Sequence, residues 1–205
     1  MIKDKNIAWR RKRVLIKLSD MLGITANRLA SLGAGDAVFQ EVDAAVQLAG
    51  LAAAAAGDEI FDLWPLPWDM DRTHPLRFRY WFSHSTTDAD EPVFKTFYKG
   101  IGKQIALTAA NSSPDETVTH DAHTVSTSAD ALEITEWAES VSDTLIASTD
   151  FALLLACEID NLGSAGANEI SIFALEIEYT LKATDDTNKR RVTNDAPAAP
   201  NQFAD

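Results

Sequence analysis

Residues 151–182 read FALLLACEIDNLGSAGANEISIFALEIEYTLK, which is two apolar runs joined by a glycine-containing loop. In the first run, 151–159, the residues on both faces of an extended chain are apolar until Glu158. A strand that is apolar on both faces has to be covered on both. The loop, residues 160–169, is longer than the two-residue turn of a tight hairpin. We therefore expect the two strands to lie in two sheets that face each other.

The second run has the alternation of a strand with one core face. One series of alternate residues contains Glu176 and Glu178, whereas the other series is apolar. The apolar series is Phe173, Leu175, Ile177, Tyr179 and Leu181. This period of two predicts a half-buried strand whose glutamates point to solvent. Paired carboxylates could also serve a glycosidase, but their neighbours indicate no cleft, and we predict no catalytic residue.

The chain from residue 58 to residue 182 is rich in similar segments. Residues 76–82 are apolar at every second position, as in a strand with one core face. Further strands are predicted at 59–64, 93–99, 103–108, 117–126 and 132–137, with a bend or bulge at Gly100 and Gly102. With the two runs above, the count is about eight strands separated by loops. This count is typical of an antiparallel β-sandwich, and a jelly roll has eight strands in two sheets.

The segments outside this region have a different composition. Residues 1–17 contain seven basic residues and one aspartate, a charge of +6, whereas the remaining residues sum to −19, for a total of −13. Helical spacing and a high alanine content predict short helices within residues 19–57. Residues 183–205 are polar and lack periodicity. The predicted organisation is a basic arm with a small, partly helical segment (1–57), a jelly-roll β-sandwich (58–182) and a polar tail (183–205).

The charge distribution restricts the possible partners. An acidic body is not expected to bind nucleic acid or an anionic membrane directly. The basic arm could attach to an acidic protein surface, or it could be a solvated end without a partner. The residues predicted to dock are Arg10, Arg11, Lys12, Arg13 and Lys17.

Cysteine content and apolar runs bear on the compartment. Cys157 is the only cysteine and lies in the most apolar run, which predicts a buried, inert thiol and no disulfide within the chain. Folding in a reducing cytoplasm fits this expectation. The basic N-terminal stretch lacks the pattern of a signal peptide, and no uncharged run reaches the length of about 18 residues that a membrane span needs.

Polar clusters do not predict a metal or a cofactor. His120, Asp121 and His123 form an H-D-x-H cluster, but residues 120 and 123 of a strand point to opposite faces. Asp69 and Asp71 lack the glycine and the distal glutamate of a calcium-binding loop.

The stretch Trp64-Pro-Leu-Pro-Trp68 begins and ends with tryptophan. Their side chains could close the open end of a sandwich. Alternatively they could anchor a partner, because tryptophan is enriched at the centres of protein interfaces.

Two segments together carry a resemblance to a known family. DEIFDLWPLPWDMDRTHPLRFRYWFSHSTTDADEPVFKTFYKG (58–100) and GSAGANEISIFALEIEYTLK (163–182) resemble the jelly-roll structural proteins of tailed-bacteriophage virions, most of all the capsid decoration, or cement, proteins. The resemblance covers residues 58–182 through packing motifs and brings no set of functional residues. It implies a non-enzymatic homotrimer that binds the major capsid protein on the capsid exterior, after assembly in the host cytoplasm.

Two alternatives remain open at this point. The chain could be a neck, tail or fibre component of a virion that contacts host glycans. From a different class, it could be a soluble carbohydrate-binding or hydrolytic β-sandwich, which predicts an exposed aromatic platform or a carboxylate-lined cleft.

Overall fold

The structure, a computed structural model, describes residues 11–17, 38–41, 49–52, 56–57, 59–85, 91–103, 114–141, 146–163, 165 and 170–182. All regular secondary structure within these ranges is β-strand. The strands are β1 (Arg11–Lys17), β2 (Val38–Glu41), β3 (Ala49–Ala52), β4 (Glu59–Pro65), β5 (Arg77–His84), β6 (Val93–Gly102), β7 (Glu116–Thr119), β8 (Leu132–Ile134), β9 (Ala138–Glu139), β10 (Asp150–Asn161) and β11 (Ile170–Thr180). No helix in the described part of the chain is long and apolar enough to cross a membrane.

The strands form two antiparallel sheets that pack face to face. In the seven-stranded sheet, β11 pairs with β5 along one edge and with β1 and β3 along the other. β2 extends this sheet beyond β3, while β8 and β9 extend it beyond β5. The four-stranded sheet has the order β4-β10-β6-β7. The prediction of an antiparallel β-sandwich is confirmed.

The main pairings are nested along the chain. β1 pairs with β11, β4 with β10, β5 with β8 and β9, and β6 with β7. Each pair encloses the next, and successive pairs fall alternately in the two sheets. Strands from the first half of the chain therefore lie beside strands from the second half.

β10 and β11 lie at the centres of the two sheets. Leu153 and Leu155 on β10 are fully buried, as are Leu175 and Ile177 on β11. Both strands have neighbours on each edge, and the core side chains of each sheet pack against those of the other. The expectation that the two apolar runs lie in facing sheets is confirmed.

β11 contains a bulge that the sequence pattern does not show. The register against β5 shifts between Ile172 and Ala174, which leaves Phe173 half-buried between them. Ile172 belongs to the core on one side of the shift, and Leu175 belongs to it on the other. The prediction that Phe173 shares the core face is wrong, because one extra residue reverses the facing of every later residue.

The described parts of residues 1–57 join the seven-stranded sheet. Residues 38–41 and 49–52 form β2 and β3, so the helical prediction for 19–57 is wrong at these positions. Pairing with neighbouring strands outweighs their weak local preference for helix. Residues 11–17 form β1, which pairs with β11 over its whole length. Residues 56–57 form a turn, and the remaining parts of the predicted helical segment and the predicted tail, 183–205, lie outside the described residues.

Several predicted strand boundaries differ from the structure. The strand predicted at 132–137 ends at Ile134. β6 runs without interruption from Val93 to Gly102, so the glycines do not separate two strands. The predicted irregularity is present at Gly102, where the register against β10 shifts and Phe151 is the extra residue on the partner strand. Position 100 requires glycine, because a Cβ atom there would lie 2.2 Å from Oδ2 of Asp150. The strand predicted at 117–126 ends at Thr119.

Candidate functional site

The outer face of the seven-stranded sheet carries a cluster of opposite charges. Its register places Arg13, Glu178, Arg77 and Glu139 side by side on four strands. The next row includes Glu176 and Arg79. The arginine–glutamate face is defined here as Arg11, Arg13, Arg77, Arg79, Trp137, Glu139, Glu176 and Glu178.

The nested pairing explains how these charges meet. Residues 104–181 contain 14 acidic residues and no lysine or arginine, whereas residues 1–103 contain 14 basic and 13 acidic residues. β1 and β5 come from the first segment, and β11 comes from the second. Because the fold pairs early strands with late ones, arginines lie opposite glutamates along both edges of β11. Cross-strand pairs of opposite charge favour this register.

Glu178 is the most enclosed carboxylate of the face. Its side chain is only 4 % exposed, and three guanidinium groups bind it. Arg11 Nη1 and Arg77 Nη1 each donate to Oε1 at 2.8 Å, and Arg13 Nε donates to Oε2 at 2.9 Å. Burial alone would raise the pKa of Glu178, but the hydrogen bonds from the arginines outweigh it, so the pKa lies below its usual value.

Glu176 is held in a similar way. Arg79 Nε donates to its Oε2 at 2.6 Å, and the Trp81 indole N–H donates to the same oxygen at 2.9 Å. The prediction that Glu176 and Glu178 point to solvent is wrong, because both residues are buried beneath arginine side chains. Carboxylates fixed by several donors are suited to ion pairing rather than to proton transfer.

Trp137 lies across the arginines. The guanidinium carbon of Arg79 is 4.5 Å from the centre of the indole ring, and those of Arg77 and Arg13 are 5.2 and 5.3 Å away. Such contacts are attractive because of the negative charge on the ring face. The sequence contained a signal for this face in three pairs spaced two residues apart, Arg11 with Arg13, Arg77 with Arg79, and Glu176 with Glu178.

The five predicted docking residues therefore have different surroundings. Arg11 and Arg13 bind Glu178 within the same chain. Lys12 lies on the other side of β1, where its Nζ is 3.3 Å from Asp69 Oδ2. Arg10 and the side chain of Lys17 lie outside the described residues. Removal of residues 2–17 would strip a whole strand from β11, so this truncation cannot separate docking from folding.

The two tryptophans of the Trp-Pro-Leu-Pro-Trp stretch have opposite surroundings. Trp64 is 6 % exposed and packs inside the sandwich, where its ring centre lies 6.1 Å from that of Tyr179. Trp64 therefore belongs to the core and presents no surface to a partner. Trp68 is 87 % exposed.

Other large apolar side chains are exposed on the two strands that lead to the Trp68 turn or are bonded to it. Leu63 on β4 and Phe151 on β10 are 43 % and 53 % exposed, and the exposed Pro65 lies between them in the pairing of the two strands. The backbone N–H of Leu66 donates to the carbonyl of Phe151 at 2.9 Å, which joins the strand to the turn that carries Trp68. These four residues, Leu63, Pro65, Trp68 and Phe151, are called the Trp68 corner below.

Backbone hydrogen bonds hold the Trp68 turn in place. The Met70 N–H donates to the Pro67 carbonyl, and the Lys182 N–H donates to the Asp69 carbonyl. Lys182 Nζ also donates to the carbonyl of Trp68 at 2.9 Å. A fixed backbone lowers the entropy cost of binding through an exposed aromatic side chain.

Histidines gather at one end of the sandwich. His120 and His123 contact successive core aromatics, with ring centres 5.0 Å from Tyr80 and 5.3 Å from Phe82. The expectation that they point to opposite faces is wrong, because the strand ends before residue 120. Burial lowers the pKa of His120 to about 4. No group of three or more potential metal ligands is found in the described ranges.

The acidic loop and the cysteine have structural surroundings. Asp69 accepts a hydrogen bond from Tyr179, and Asp71 accepts two from Thr73. Cys157 is fully buried, as expected, and burial raises the pKa of its thiol to about 12.

A cleft of about 250 Å³ lies next to the arginine–glutamate face. It is lined by Thr119, Asp121, Glu136, Trp137, Ala138 and Glu139. Its volume is below the range of about 300–1,000 Å³ that is usual for small-molecule sites.

Comparison with known proteins does not assign this chain to a family. No protein-family model matches the chain, and no curated protein matches it. The case for function therefore depends on the surfaces described above.

Proposed function

We propose that this chain is a structural protein of a bacteriophage virion, a decoration or cement protein that binds the outside of the head and stabilises it. It acts without a cofactor, as a homotrimer whose copies contact the major capsid protein. Such a protein stabilises the shell by mass action, because it binds the assembled state and not the free subunits.

The observation that carries the proposal is the Trp68 corner. It presents a tryptophan that is 87 % exposed beside two further half-exposed apolar side chains, on a backbone held by hydrogen bonds. Exposed apolar patches mark surfaces that bind other molecules, and tryptophan is the residue that most often dominates such contacts. This chemistry supports a protein that associates with other protein subunits.

The strand pairing supports the architectural part of the proposal. Apart from β2 and β3, which pair with each other and extend the sheet beyond β11, the described chain has eight strand positions when β8 and β9 share one. These positions pair first with last, second with seventh, third with sixth and fourth with fifth. A long antiparallel hairpin wrapped into two sheets produces this pairing, and we infer that the sandwich is a jelly roll. This architecture recurs in viral capsid proteins.

The charge layout supports attachment to a capsid. The chain as a whole carries −13, which favours solubility, while residues 1–17 carry +6. We propose that basic residues of this segment outside the arginine–glutamate face, including Arg10 and Lys17, meet acidic groups of the capsid. Electrostatic attraction of this kind sets the orientation and the rate of docking.

Cosedimentation with purified heads that lack the protein tests the proposal. The full chain is expected to pellet with heads and to raise the temperature at which they release DNA. Lys17→Glu is expected to weaken binding at low salt by several-fold, whereas Lys103→Glu, the same change on an exposed turn, leaves it unchanged. If the folded chain stays in the supernatant at every concentration, the assignment to the head is wrong.

Glycan binding is a second candidate, supported by the cleft beside Trp137 and its three carboxylates. A glycan array with the purified chain separates the two functions. Strong hits that Glu136→Gln abolishes, together with absence from empty heads, would favour a tail or fibre component.

A further inference from the structure

The first residues of β1 lie beside the Trp68 turn. Arg11 is the first residue of β1 and lies opposite Thr180 near the end of β11. The next residue, Lys12, reaches Asp69 with its Nζ. Met70 pairs with Leu181, and the Asp71 N–H donates to the Thr180 carbonyl, so the turn lies against the same end of β11. Residues 1–10 are therefore joined to β1 at the end that lies beside the turn carrying Trp68.

The sequence of residues 1–10 complements the chemistry of this corner. MIKDKNIAWR contains the large apolar residues Ile2, Ile7 and Trp9, together with three basic residues and one acidic residue. Residues 58–71, which contain most of the corner, include five acidic residues and no lysine or arginine. An apolar segment thus complements an apolar corner, which favours association through apolar contact. Lys12 and Lys182 lie at the turn and offset part of its acidic charge.

The length of this segment allows it to reach another molecule. Ten extended residues span up to about 33–36 Å, whereas packed sheets lie only about 10 Å apart. Trp68 is 87 % exposed beside the described strands. The corner is thus open to the segment of another copy.

We infer that residues 1–10 of one copy bind the Trp68 corner of a second copy, so that copies hold one another by exchanged N-terminal segments. This inference rests on the proposed function, since it names the contact through which the decoration protein associates with itself. Each copy then both donates a segment and accepts one. Such a contact is heterologous, and it closes into a ring when the rotation between copies allows it.

A complementation experiment tests the exchange. A variant without residues 2–10 keeps β1 and the corner but has no segment to donate. Trp68→Ala keeps the segment but loses the centre of the corner. Each variant alone is expected to sediment as a monomer, and an equimolar mixture is expected to form a 1:1 complex, because one variant supplies what the other lacks. Val141→Ala, which shortens an apolar side chain that is 94 % exposed elsewhere, is expected to keep the oligomer of the unmodified chain.

The inference is overturned if either variant alone keeps the oligomer of the unmodified chain, if the unmodified chain is itself a monomer, or if the mixture does not associate. Cosedimentation of the same variants with heads separates this failure from failure of the proposed function. If the unmodified chain cosediments with heads but the two variants do not associate when mixed, only the exchange of segments is rejected. If the mixed variants associate but heads do not retain the unmodified chain, only the decoration function is rejected.

Discussion

The arginine–glutamate face and the Trp68 corner use opposite chemistry and have opposite relations to the rest of the molecule. On the face, four arginines and three glutamates bind one another, and the most buried carboxylate has three partners. At the corner, the apolar side chains of Trp68 and Phe151 are left exposed by their own chain. The sequence suggests that the charged residues bind a partner, but most of them form ion pairs within the chain. The apolar corner, in contrast, remains exposed and can contact a partner.

The two tryptophans should give the largest contrast in stability. Trp64→Ala is expected to lower the free energy of unfolding by about 3–5 kcal/mol, because it removes a buried indole and leaves a cavity against Tyr179. Trp68→Ala is its matched control and should change that free energy by no more than about 0.5 kcal/mol. Denaturant unfolding measures both. A large loss of stability in Trp68→Ala would show that the corner is structural.

Within the arginine–glutamate face, the buried carboxylate should matter more than the exposed one. Glu178→Gln removes the charge that three guanidinium groups share, and we expect a loss on the order of 3 kcal/mol, because the arginines lose their common anion. Glu139→Gln changes a side chain that is 50 % exposed and 3.6 Å from Arg77, and it should cost less than about 1 kcal/mol. Equal effects in urea unfolding would mean that the face does not hold β1 on β11.

Acid should weaken the sandwich through buried titratable groups. The folded pKa of His120 is about 4, below the value of 6.5 expected in the unfolded chain, so the unfolded state binds the proton first. The stability is complete above pH 6.5 and falls as the pH drops towards 4, by about 2 kcal/mol at pH 5. Glu178 acts in the same direction, because its lowered pKa stabilises the fold above its unfolded value and this contribution is lost on further acidification.

His120→Gln provides the test of this acid sensitivity. The variant lacks the titrating imidazole, so its unfolding free energy should fall less between pH 6.5 and pH 4 than that of the unmodified chain. The measurement is a series of urea unfolding curves at half-unit steps of pH. Parallel curves for the two proteins would exclude His120 as a source of the effect.

The alternating patterns of the sequence were sufficient for the sandwich and for its two central strands. Apolar periodicity reports which residues face a core, so residues 76–82 and the two runs of 151–182 gave strands of the right kind. Periodicity carries no information on pairing partners, so it predicts helix where β2 and β3 form and gives no sign of the bulge at Phe173. Both features depend on contacts with strands far away in the sequence.

The surfaces are harder to predict from the sequence than the fold. Glu178 was expected in solvent because its strand alternates, but the arginines that cover it come from β1 and β5, more than 100 residues earlier. The two tryptophans lie four residues apart in one motif, yet one belongs to the core and the other to the surface. Trp64 is buried because it lies in β4, which pairs with β10, whereas Trp68 is exposed in the turn that follows β4.

Sedimentation velocity of Trp68→Ala beside the unmodified chain, at matched concentration and neutral pH, shows whether copies associate through the Trp68 corner. We expect the unmodified chain to sediment as an oligomer and the variant to be a monomer with an unchanged urea midpoint. An unmodified chain that is monomeric, or a variant that remains the same oligomer, would contradict the assignment of the Trp68 corner as the surface through which this protein assembles.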